Sequence, residues 1–87
     1  MRKANMAKDD FKHEIINIIG TISEGKKGWK KELTRISWNG AEPKYDIRSW
    51  SDDHQKMSKG ITMDEEELRV LKVLIDKEIE YLDSDTF

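Results

Sequence analysis

The sequence predicts an α+β domain: a four-stranded antiparallel sheet followed by one carboxy-terminal helix (ββββα). Two observations carry this. Runs of β-branched and aromatic residues of strand length fill the first two thirds of the chain, separated by turn signals, and one long stretch at the end repeats its apolar residues with helical spacing.

The first strand is expected over Lys12 to Ser23, KHEIINIIGTIS, isoleucine-rich and bent at Gly20. Gly25-Lys26-Lys27-Gly28 reads as a turn, and Trp29 to Asn39, WKKELTRISWN, as the second strand, ending at the turn signal Asn39-Gly40. Leu33 and Ile36 have opposite parity, so burying both on one face calls for a bulge near Thr34 and Arg35. Lys44 to Ser51 alternates cleanly as a third strand, with Tyr45, Ile47 and Ser49 on one side and Lys44, Asp46, Arg48 and Trp50 on the other. After a polar loop, Asp52 to Met57, a short fourth strand is expected over Ser58 to Met63.

Thr62 or Asp64 is placed to cap a helix of about Asp64 to Leu82, whose first acids suit the positive end of its dipole. It carries two apolar stripes, Leu68, Leu71, Ile75, Ile79 and Leu82 on one and Val70, Leu74 and Tyr81 on the other. One stripe covers a sheet; the second wants a partner, and a second copy of the same helix supplies it. Residues 1–11 read as a flexible tail, 12–82 as one domain and 83–87 as a frayed end.

The chain has 87 residues and no cysteine, which excludes disulfides, thiolate nucleophiles and cysteine metal sites. A chain this short buries a modest share of its surface, which again favours oligomerisation. Its apolar runs are too short to span a bilayer and no signal sequence is visible, so a cytoplasmic location is expected, with nucleoid association as an option and no membrane partner. No nucleophile motif or phosphate loop appears, and Asp52-Asp53-His54 reads better as a solvated loop than as metal ligands. No enzyme activity, cofactor or metal is expected.

Charge is unevenly spread: 13 Lys and Arg against 9 Asp and Glu up to Gly60, then 3 against 9, so a net +4 is followed by −6. The basic part carries aromatic residues among its cations, the combination that single-stranded nucleic acid requires: charges to follow phosphates and rings on which bases stack. The expected set is Lys31, Arg35, Trp38, Lys44, Arg48, Trp50 and Lys59, with Lys26, Lys27, Trp29, Lys30 and Lys56 beside it. Arg48 and Trp50 project opposite Tyr45 and Ile47, so a helix covering one side of the sheet leaves them uncovered. Asp46 shares their face, where it dilutes the field or orients Arg48.

The run YDIRSW…MSKGIT resembles the carboxy-terminal DNA-binding domain of the transcriptional coactivator positive cofactor four. The fuller stretch from Gly28 to Thr62 is similar to its bacterial, YdbC-like branch. The resemblance implies a homodimer with helices in the interface and single-stranded DNA across exposed sheet surfaces, with little sequence preference. It places Arg48 at the DNA backbone, Trp50 at the stacking aromatic and Lys59 at the lysine before the glycine, with Trp38 near a further aromatic. RNA remains an alternative ligand. So does an interaction module, in which the same surface docks a transcription or replication protein.

Overall fold

A computed structural model describes residues 12–84. The strands are β1 (His13–Glu24), β2 (Lys30–Trp38), β3 (Lys44–Trp50) and β4 (Ile61–Met63), followed by the helix α1 (Glu65–Ser84). They form one antiparallel sheet in the order β1-β2-β3-β4. This is the expected ββββα architecture. Of the regions expected to be mobile, 1–11 and 85–87 lie outside the described residues, while Asp83 and Ser84 continue the helix.

Each connection follows from its residues. A 3-10 turn, Lys26–Gly28, joins β1 to β2, with Lys27 and Gly28 at φ 57° and 81°. At the next hairpin Asn39 and Gly40 take φ 51° and 77°, and the Ala41 N–H donates to the Trp38 carbonyl at 2.9 Å. Asn39 also fixes the start of β1: its Oδ1 accepts from the Lys12 N–H and its own N–H donates to the Lys12 carbonyl.

The bulge expected at Thr34 and Arg35 is not there; β2 pairs with β3 without interruption from Lys30 to Ile36. The irregularities lie in β1, whose register slips between Ile15 and Asn17, Ile18 and Gly20, and Thr21 and Ser23. Ile16, Ile19 and Ile22 are thus extra residues opposite β2, and each such insertion bends and twists its strand. Leu33 and Ile36 need no bulge because both faces of β2 are used: Leu33 looks toward α1 and Ile36 is buried on the other side.

That other side curls on itself. His13 pairs with Trp38 at one end of β2, and Trp50 pairs with Lys30 at the opposite end. On a flat strand residues 30 and 38 stand about 26 Å apart, at about 3.3 Å per residue. Yet the His13 ring lies 6.0 Å from Trp38 and 5.1 Å from Trp50. The sheet therefore coils into a trough whose ends meet over its own side chains. Glu32, Thr34, Ile36, Asp46 and Trp50 are buried there without help from the helix.

The fourth strand is shorter than expected. Ser58 to Gly60 make no ladder with β3; instead the Ser58 N–H donates to the Ser49 carbonyl, and the Ser58 hydroxyl accepts from the Ser49 N–H at 3.0 Å. The helix begins at a reciprocal cap: Asp64 Oδ1 accepts from the Glu67 N–H at 2.8 Å, and Glu67 Oε1 from the Asp64 N–H at 2.9 Å. Thr62 is engaged elsewhere, on Asp46. Asp64→Ala is expected to lower stability by about 1 kcal/mol in a urea titration, with Glu67→Ala adding little when made second, since each change breaks the same box.

Candidate nucleic-acid interface

The trough is held by a buried ion pair. Arg48 donates from Nε to Asp46 Oδ1 at 2.6 Å and from Nη2 to Oδ2 at 2.8 Å, and Oδ2 also accepts from the Thr62 hydroxyl at 2.8 Å. The Asp46 side chain is fully buried and that of Arg48 is 12% exposed. The remaining guanidinium nitrogen, Nη1, points to Met57 Sδ and the Ser58 carbonyl, while Cζ stands 4.7 Å from the centre of the Trp38 ring. Asp46 thus orients Arg48, one of the two roles its place in the sequence allowed, and the guanidinium in turn is laid over an indole.

Trp50 corrects the expectation of an uncovered face. Its ring is fully buried although α1 lies on the opposite side, because the curl of the sheet and the loop after β3 cover it. His13 packs on one side and His54, in that loop, lies 5.7 Å away. His54 takes φ 59° and donates from Nε2 to Glu32 Oε1 at 2.8 Å. The loop is further ordered by Asp53, whose Oδ1 accepts from the Gln55 N–H and the Ser51 hydroxyl. Those two bonds, the Gln55 one foremost, hold the Asp53 carboxyl below its ordinary value. Their support is complete above the usual carboxylate range and is lost as pH falls through the lowered value.

Lys31 and Arg35 are also corrected. They pair with Ser49 and Tyr45, so they share the face that looks toward α1 and not that of Arg48. Both are exposed. Among the other expected cations, Lys44 is exposed on the trough side, opposite Ile36, and Lys59 is exposed within the Ser58–Gly60 segment that packs on Arg48. Lys26, Lys27 and Lys56 are exposed, and Lys30, opposite Trp50, is half-buried. Trp29 and Trp38 are half-buried. The structure therefore brings together Trp38, Arg48 and Trp50, rims them with lysines, and leaves Lys31 and Arg35 outside the group.

Three participants were missed in the sequence: Glu32, His13 and His54. The parity of Glu32 with Ile36 was a usable signal, since an acid on a buried face needs a partner. His54, its partner, comes from the loop after β3 and His13 from the start of β1, and neither carried such a signal. Among the described residues no group of three or more His, Cys, Asp or Glu could hold a metal ion, and no helix is long and apolar enough to cross a membrane.

The other face offers apolar surface. Ile22, Leu33, Tyr45 and Ile47 of the sheet and Leu68, Leu71 and Ile75 of α1 line a groove of about 630 Å³. Leu68, Leu71 and Ile75 are thus the sheet-facing residues, but no helical side chain is fully buried. Val70, Leu74, Ile79, Tyr81 and Leu82 stay roughly half exposed.

The model of the family described as Transcriptional Coactivator p15 (PC4) matches residues 25–74, from the first hairpin to the middle of α1. The chain belongs to this family. Membership carries the coarse functional statement with it, DNA binding in connection with transcription. An uncharacterized protein of Treponema pallidum (strain Nichols) is 43% identical over 74 residues, covering 85% of this chain and 87% of its own length. The stretch shared with the family model contains Trp38, Asp46, Arg48 and Trp50, the lysine rim and the Lys59-Gly60-Ile61 run, while β1 with His13 lies before it.

Proposed function

We propose that the chain is a homodimeric, non-enzymatic protein that binds single-stranded DNA with little sequence preference, in transcription regulation or other DNA transactions of a bacterial cytoplasm. The observation that carries this is the trough itself: the half-buried Trp38 with a guanidinium over its ring, in a sheet rimmed by exposed lysines. Rings on a sheet surface can stack on bases that are not already stacked in a duplex. Lys44 and Lys59 near Arg48, and Lys26, Lys27, Lys30 and Lys56 near Trp50, are the phosphate contacts. Arg48 acts chiefly by fixing Trp38, its own charge being matched by Asp46.

The dimer is supported by what one copy leaves unfinished. Ile36, Trp50 and Met63 are the buried hydrophobic residues among the described residues, a small core for a lone chain. The same chain offers an apolar groove and an unpaired apolar helix stripe, two halves that a second copy completes on both sides at once. The Treponema pallidum relative supports the bacterial branch.

Titration of an oligothymidine into the protein, followed by tryptophan fluorescence over a salt series and by mass measurement of the complex, tests this. Affinity is expected to fall with a log–log slope of about −2 to −4, as three to six lysine–phosphate contacts on a single strand give. The mass is expected to contain two protein chains. Affinity that is indifferent to salt overturns the reading, and equal affinity for an oligouridine removes the preference for DNA.

A further inference from the structure

We propose that the loop from Ser51 to Ser58 is a lid over Trp50, latched by His54 on Glu32, and that its displacement opens the indole to an unpaired base. The ligand in this proposal rests on the single-strand reading above; the lid rests on the geometry of the loop.

Trp50 ends β3 opposite Lys30, close to the turn that carries Lys26 and Lys27. An indole in such a setting can hold a base while its neighbours hold the adjoining phosphates. Its ring is nevertheless sealed between two histidines. His13 belongs to β1 and is fixed by its pairing with Trp38. His54 belongs to a loop whose bonds are largely its own: Ser51 N–H to the Lys56 carbonyl, His54 N–H to the Ser51 carbonyl, Lys56 N–H to the Ser51 hydroxyl. Such a loop can move as a unit. It is anchored at its far end, where Met57 bridges to Trp50 and Ser58 bonds Ser49. Between the anchors, the side-chain bond from His54 to Glu32 ties it to the sheet.

The closed position carries two penalties. His54 is held at φ 59°, a region uncommon for residues other than glycine. The Trp50 Nε1–H is buried with no acceptor, which is unusual for an indole. Both are relieved when the loop lifts and a base carbonyl meets the indole N–H. A ligand that relieves costs specific to one state shifts the population away from that state.

The test uses the full chain labelled with 5-fluorotryptophan, its three fluorine resonances assigned by single Trp→Phe replacements. In the wild type the Trp50 signal is expected to show no H2O/D2O isotope shift, and to move on saturation with oligothymidine. His54→Asn keeps a residue that tolerates positive φ but removes the ring and weakens the latch. It is expected to give Trp50 an isotope shift in the absence of ligand and to tighten oligothymidine binding on the order of threefold or more. A Trp50 signal in His54→Asn that remains blind to solvent overturns the lid. So does a wild-type Trp50 signal that stays unmoved at saturation while the Trp38 signal shifts. If no oligonucleotide binds either protein, the single-strand reading fails, and the isotope shift of His54→Asn still decides whether the loop covers the ring.

Discussion

Arg48→Ala is expected to lower the stability of the fold by about 3–5 kcal/mol, because it strands the Asp46 carboxylate in the trough. Asp46 is fully buried and accepts three hydrogen bonds, two of them from Arg48. With the guanidinium gone, the Thr62 hydroxyl is the one donor left to a desolvated charge. The Trp38 ring also loses the cation above it, about 0.5–2 kcal/mol by itself. Against a total of roughly 5–15 kcal/mol for an ordinary domain, this is enough to populate the unfolded chain. The measurement is the urea midpoint, read with the slope unchanged. A second substitution separates structure from ligand binding: Asp46→Asn in the Arg48→Ala background is expected to recover part of the loss, since a buried amide costs less than a buried carboxylate. If Arg48→Ala melts like the wild type and loses only oligonucleotide affinity, Arg48 is a phosphate contact and the trough is not its primary task.

This double life of Arg48 shows where a sequence can be read and where it cannot. The alternation from Lys44 to Trp50 assigned the faces of β3 correctly, and Asp64, one of the two caps the sequence offered, does start the helix. Period-2 and capping patterns are local, so they survive whatever the rest of the chain does. What decided the site was the curl, which comes from insertions in β1 recurring at Ile16, Ile19 and Ile22. Isoleucines at every third position of a strand fit no flat alternation, and that spacing was the available hint. Without the curl Trp50 stands on an open face; with it, the ring is sealed between histidines from opposite ends of the sheet. Lys31 and Arg35 stand on the other face from Arg48 for a simpler reason. Their parity follows Leu33, and once β2 runs without a bulge they must face α1.

Gly60→Ala is expected to destabilise by about 3 kcal/mol, the upper end for forcing a methyl group into packed surroundings. A Cβ at position 60 would fall on the Ile47 carbonyl oxygen and on the Arg48 Cβ, closer than side-chain carbons come in real structures, with Arg48 Nε also within 2.8 Å. Two of these obstacles are backbone or backbone-proximal atoms of a central strand, so they cannot swing aside as a side-chain tip would. Relief requires the segment before β4 to lift from β3, and that carries Thr62 away from Asp46 and the Ser58 carbonyl from Arg48. The glycine of the Lys59-Gly60-Ile61 run is therefore explained by close approach of backbone to backbone, with no ligand invoked. Gly20→Ala is the control: a Cβ there meets nothing within 4 Å, and the change is expected to be neutral or stabilising by up to about 1 kcal/mol. Thermal melts of the two variants side by side read out the difference. If Gly60→Ala keeps the wild-type midpoint and weakens only oligonucleotide binding, the glycine makes room for a nucleotide and the packing account of this run is wrong.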